Sequence, residues 1–79
     1  MADAPAYDQV LDAKGLLCPM PIVKLAKLAK TLDAGQVILL EATDPGSVPD
    51  VAAWSRNTKN PILFQDSEGK VMRFWIQKG

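Results

Sequence analysis

The run Leu16-Leu17-Cys18-Pro19-Met20-Pro21 holds the only cysteine of the chain, with prolines directly after it and two positions further on. A thiolate is a nucleophile toward sulfur–sulfur bonds and soft electrophiles, so what surrounds this one thiol decides whether the chain can do chemistry. The prolines describe those surroundings. Proline fixes its own φ and lacks an N–H, which suits the first turn of a helix and breaks a helix further in. Ile22-Val23-Lys24-Leu25-Ala26-Lys27-Leu28-Ala29-Lys30, directly after Pro21, has a strongly helical pattern. The prolines therefore mark a helix start, and Pro19 biases Cys18 toward an extended backbone. The thiol then stands in the last non-helical position at the positive end of the helix dipole. Met20 also precedes a proline, so the alternative is a helix opening at Pro21 with Cys18 in the approach loop.

An ordinary thiol is only a few per cent ionised at neutral pH. A helix N-terminus favours an anion, so this position predicts a modestly lowered thiol pKa and a sizeable minority of thiolate. Pro19 and Pro21 remove two donors from the first turn, leaving the Met20 and Ile22 N–H groups as partners for the sulfur. The competing reading is a small buried hydrophobe whose chemistry is idle. The Pro-X-Pro pattern favours the reactive reading, because it puts the residue at an exposed helix entrance.

Composition bounds the rest. The 79 residues, 48% of them apolar, predict one small globular domain over residues 1–79, with residues 1–6 as a flexible tail. Nine basic and nine acidic residues balance, which argues against non-specific binding to nucleic acid or to an anionic membrane. One cysteine and no histidine exclude an internal disulfide and a Cys/His zinc site, so no metal is expected. No run resembles a signal peptide or reaches the length of a membrane span, and a free thiol fits a reducing cytoplasm.

The elements that must position Cys18 follow from periodicity. Tyr7 to Asp12 predicts a first strand, and Ala13-Lys14-Gly15 a turn into the Cys18 loop. Ile22, Leu25, Ala26, Ala29 and Leu32 recur at helical spacing, so the first helix should reach about Leu32, with Gly35 as a left-handed cap. Lys24, Lys27 and Lys30 share its other side, as a solvated face or a docking surface for an acidic partner. Gln36 to Thr43 is nearly continuously apolar and predicts a central strand covered on both faces, parallel to the first. Ser47-Val48-Pro49-Asp50 resembles a capping box opening a second helix to about Asn57, burying Val48, Val51, Ala52 and Ser55. Ile62 to Gln65 and Lys70 to Gln77 predict an antiparallel hairpin around Ser67-Glu68-Gly69.

The order β-α-β-α-β-β gives a two-layer α/β (α+β) sandwich: a four-stranded mixed sheet with both helices on one face. Met72, Phe74 and Ile76 are assigned to the helix-covered core, and Val37, Leu39, Val71 and Trp75 to the open face. Loops leaving the carboxyl ends of parallel strands gather along one edge, so Cys18 and the Asp44-Pro45-Gly46-Ser47 turn should be neighbours. That turn offers N–H groups to an anion or a partner, or else Asp44 and Ser47 merely shape the turn and cap the helix. A nearby Asp44 would raise the thiol pKa and offset part of the helix effect.

Gly15-Leu16-Leu17-Cys18-Pro19-Met20-Pro21 resembles the Cys-Pro-X-Pro signature of the TusA/SirA family of small sulfur-carrier proteins. Thr43-Asp44-Pro45-Gly46-Ser47 before a short helix resembles the family's second landmark, and the likeness runs from about Val10 to Ile76. The resemblance implies a fold like the C-terminal domain of a bacterial translation initiation factor. It also implies that Cys18, supported by Pro19, Met20 and Pro21, carries a sulfane sulfur as a covalent persulfide, with no other cofactor. A cysteine desulfurase or rhodanese would be the donor and a further protein the acceptor, in tRNA 2-thiolation or sulfur metabolism. Such a carrier acts stoichiometrically rather than as a turnover enzyme. Lys24, Lys27, Asp44 and Ser47 are the candidate partner-binding residues. In place of a cation, Leu17 precedes the thiol.

The residues agree with this chemistry. A carrier needs one reachable thiol, and a second cysteine would expel the bound sulfur by forming an internal disulfide. The competing class is a regulatory protein-binding module in which Cys18 is unused. An RNA-binding domain, by analogy with the initiation-factor fold, conflicts with the balanced charge. A thiol peroxidase or disulfide oxidoreductase lacks its second cysteine.

Overall fold

A computed structural model describes residues 4–79. Along the chain lie β1 (Gln9–Ala13), α1 (Met20–Ala29), β2 (Val37–Ala42), α2 (Ser47–Thr58), β3 (Ile62–Glu68) and β4 (Val71–Gln77). The sheet order is β1-β2-β4-β3. β1 and β2 run parallel, whereas β4 is antiparallel to both of its neighbours. This is the mixed-sheet α+β sandwich expected from the pattern.

β2 is central because its residues are apolar on both faces, and Val37, Ile38, Leu39 and Leu40 are all buried. Side chains alternate across a strand, so β2 feeds two separate apolar layers. Ile38 and Leu40, opposite Ile76 and Phe74 of β4, face the helices and pack with Leu25 and Ala29 of α1 and Val51 of α2. On the reverse face Val37, Leu39 and Trp75 form a second cluster with Phe64 and Ala4. The Phe64 and Trp75 rings meet edge to face, 5.2 Å between centroids. Beside them Arg73 bonds Asp66, directly opposite on β3, through Nε at 2.8 Å and Nη2 at 3.1 Å. The expected division of β4 between the two faces therefore holds for Met72, Phe74, Ile76 and Trp75.

Several expected boundaries move, each for a local reason. Asp8 lies before β1, yet its N–H donates to the Val37 carbonyl and its carboxylate accepts the Val37 N–H. The predicted tail divides: residues 1–3 lie outside the described residues, while Ala4 packs on the reverse sheet face. α1 ends at Ala29 rather than Leu32, since the Thr31 and Leu32 N–H groups turn to the carbonyls three residues back. Gly35 does take a left-handed φ of 94°, but in the turn into β2, where its N–H donates to the Lys78 carbonyl; Lys30 is the helix cap. β3 continues through Ser67 and Glu68, leaving Gly69-Lys70 as a two-residue turn with Gly69 at φ 60°.

The capping box does not form either. Gly46 is the N-cap of α2 with no side-chain cap bond, and Ser47 is the first helical residue, its hydroxyl buried without a partner. Val48 is exposed, because α2 turns Ser47, Val51 and Ser55 inward instead. No helix among the described residues is long and apolar enough to cross a membrane.

Phe74 is wholly buried between sheet and helices, so Phe74→Ala should lower the unfolding free energy by about 3–5 kcal/mol in urea denaturation. Leu17→Ala, at a residue 74% exposed, should change it by less than about 0.5 kcal/mol.

Candidate functional site around Cys18

The parallel pairing of β1 and β2 brings their outgoing loops together. The Gly15 N–H donates to Thr43 Oγ1 at 2.9 Å, and the Cys18 N–H donates to Asp44 Oδ2 at 2.7 Å. The other Asp44 oxygen accepts the Gly46 N–H at 3.3 Å. One carboxylate thus ties the cysteine loop to the start of α2. Pro19 is the N-cap of α1, so Cys18 sits one residue ahead of the cap, free and exposed, joined to Pro19 by a cis peptide bond.

The thiol itself donates a hydrogen bond to Asp50 Oδ2, on the first turn of α2. Both residues line a groove of about 430 Å³. Pro19 and Ile22 of the α1 side form one wall, and Asp50, Ala53, Trp54 and Asn57 of α2 form the other. Positions 50, 53, 54 and 57 recur at helical spacing and so share one face of α2.

The expected activation of the thiol is overturned. Its pKa is raised, first by the hydrogen bond to Asp50, then by desolvation and by the charges of Asp50 and Asp44. A full negative charge in direct contact outweighs the half-charge at a helix terminus. The two backbone donors assigned to the sulfur are also occupied. Met20 N–H donates to the Leu17 carbonyl at 2.9 Å and Ile22 N–H to the Pro19 carbonyl at 3.1 Å. The second loop is closed to an anion for the same reason, its Ser47 and Val48 N–H groups bonding the Asp44 and Pro45 carbonyls.

The other expected site residues separate. Met20 is exposed at the first position of α1 and does not line the groove, whereas Pro21 is buried and anchors the first turn of α1. Lys24 and Lys27 are exposed on α1, and neither lines the groove. Asp44 shapes the turn, as one reading had it, and also holds the cysteine backbone. Ser47, at 1% exposure, is beyond the reach of a visiting surface. Asp50 is the residue that sequence reasoning missed. Its three-residue offset from Ser47 pointed to capping, while its spacing with Ala53, Trp54 and Asn57 was the signal that it faces outward beside the apolar stripe.

A small mixed-sheet sandwich offering a lone exposed thiol ahead of its first helix defines a recognisable class. The family described as Sulfurtransferase TusA matches residues 9–78, and the chain belongs to that family. It is similar to the putative sulfur carrier protein YrkI of Bacillus subtilis, 50% identical over 72 residues that cover 91% of this chain and 96% of the relative. It is 44% identical over 78 residues to the sulfur carrier protein TusA of Allochromatium vinosum, covering 99% of each. Among solved structures, a SirA-like protein of Desulfitobacterium hafniense has the same fold. The TM-score is 0.80 at 20% identity, with 91% of this chain and 99% of that one covered.

Iodoacetamide should label native Cys18 completely. Its rate should rise with pH along a curve whose midpoint lies above that of an unstructured cysteine peptide, since only the thiolate reacts. A midpoint at or below the peptide's would contradict the Asp50 contact. The sign for stability follows: a raised pKa means the folded state prefers the protonated thiol. Cys18 therefore contributes stability below its unfolded pKa, and this is lost as pH rises through the folded one.

Proposed function

We propose that this protein is a sulfur carrier and that Cys18 holds the transferred sulfur as a persulfide. The observation that carries the reading is the thiol's position: exposed, at the head of a groove, and alone in its sequence. The names of the relatives support the same role. In the loading step Cys18 sulfur attacks the outer sulfur of a donor persulfide, forming a new sulfur–sulfur bond while the donor's own breaks. The donor sulfur leaves as a thiolate and takes up the proton that Cys18 gave. The balance is Cys18 thiol plus donor persulfide to Cys18 persulfide plus donor thiol, with no outside oxidant. Delivery repeats the exchange with an acceptor protein.

The donor on this reading is a cysteine desulfurase or a rhodanese. The acceptor is a downstream protein of tRNA thiolation or of sulfur metabolism. One carrier moves one sulfur per encounter, so the protein is consumed and regenerated stoichiometrically. A second reading, a regulatory binding module with an idle cysteine, draws on the raised thiol pKa, which keeps Cys18 neutral at rest.

The two separate by mass spectrometry after incubation with a desulfurase charged from cysteine. The carrier gains one sulfur atom on Cys18, sensitive to reductant and missing from Cys18→Ser. An unmodified wild-type protein, together with partner binding unchanged in Cys18→Ala, leaves the regulatory module.

A further inference from the structure

A lone thiol that carries sulfur has a specific weakness. Thiolates attack peroxide: sulfur displaces hydroxide from one peroxide oxygen, the oxygen–oxygen bond breaks, and the thiolate becomes a sulfenic acid as the peroxide is reduced. A neighbouring cysteine would trap that sulfenic acid as a reversible disulfide. Cys18 has none in its chain, so further peroxide takes it to the sulfinic and sulfonic acids and the carrier is lost. An exposed position makes the exposure to oxidant unavoidable.

We propose that Asp50 is a positioning residue for Cys18, whose carboxylate holds the unloaded thiol as a hydrogen-bond donor across the groove and so acts as a chemical shield against solution oxidants between transfers. The purpose of that shield rests on the carrier reading, while the contact itself does not.

Three observations carry this. The Sγ–H to Oδ2 bond is made by a side chain of α2 across the groove, 32 residues away in sequence, so it reflects the fold and not a local turn. Asp50 stands in the first turn of α2, so the start of that helix fixes its carboxylate across the groove from the thiol. The charged groups facing the sulfur are Asp50 from α2 and Asp44 from the loop before it. No lysine or arginine lines the groove, and neither carboxylate is in an ion pair among the described residues. Among charged side chains the thiol therefore faces only carboxylates, and it donates to one of them, Asp50.

The sulfane sulfur changes this relation. Once loaded and ionised, the persulfide has no proton to donate and carries a negative charge beside Asp50 and Asp44. The contact that retains the empty thiol repels the loaded one, so Asp50 distinguishes the two states of the carrier.

The test measures iodoacetamide and hydrogen peroxide rates at Cys18, over neutral and alkaline pH, in wild type, Asp50→Asn, Asp50→Glu and Asp44→Asn. Asp50→Asn should move the rate curve to lower pH and raise both neutral-pH rates severalfold, with sulfinic acid accumulating faster by mass. Asp44→Asn should move it less, and Asp50→Glu should return it toward wild type. Asp50→Ser, read the same way, serves if the asparagine variant does not fold. A curve unmoved or moved upward in both Asp50→Asn and Asp50→Ser overturns the proposal, as does an unchanged peroxide rate. Persulfide loading of wild type is scored separately. If loading fails while the Asp50→Asn curve moves, the carrier reading falls and the contact stands.

Discussion

The carboxylate of Asp44 is bonded to two loops at once, and the geometry of the site depends on it. The Cys18 N–H donates to it at 2.7 Å, and together with the thiol bond to Asp50 this ties the approach to α1 to the start of α2. That bond is possible because β1 and β2 are parallel neighbours, so the loops at their carboxyl ends emerge side by side. Parallel pairing in turn depends on β2 being apolar on both faces, which places it inside the sheet, next to β1 on one side and β4 on the other. A pattern of hydrophobic residues in the middle of the chain thus fixes where a backbone N–H near its start can find a partner.

Two electrostatic effects of opposite sign meet at Cys18. The N-terminus of α1 favours a thiolate, and the Asp50 carboxylate on the first turn of α2 opposes it. The second prevails because a hydrogen-bonded carboxylate brings a whole charge to the sulfur, while the helix end brings a fraction of one and has its N–H groups engaged elsewhere. A cysteine at a helix entrance is therefore activated only when the remaining neighbours permit it, and here they do not.

The element order, both helices and the split of β4 between two faces were readable from the sequence, because each rests on periodicity sustained over several residues, whereas the pairing of β4 with β2 came from the structure. The proximity of Cys18 and Asp44 was readable too, since it follows from topology alone. What escaped was set by single contacts. Ser47 has the right residue type and spacing for a cap, yet burial of its side chain inside the helix start removes it from that role. Asp50 looks like the acidic half of the same box, and nothing within five residues of it announces a sulfur on another element. The sign of the thiol pKa depended on that one neighbour, so a local reading of the Cys-Pro-X-Pro segment pointed the wrong way.

The two tryptophans stand on opposite sides of the sheet. Trp54 lines the groove beside Cys18 and leans on the helix-side core, while Trp75 lies on the reverse face against Phe64. The molecule thereby contains two tryptophan fluorophores that sample different environments, one at the rim of the reactive cleft and one remote from it. Light emitted by the first should change with what enters the cleft, and the second should serve as an internal reference for the integrity of the fold.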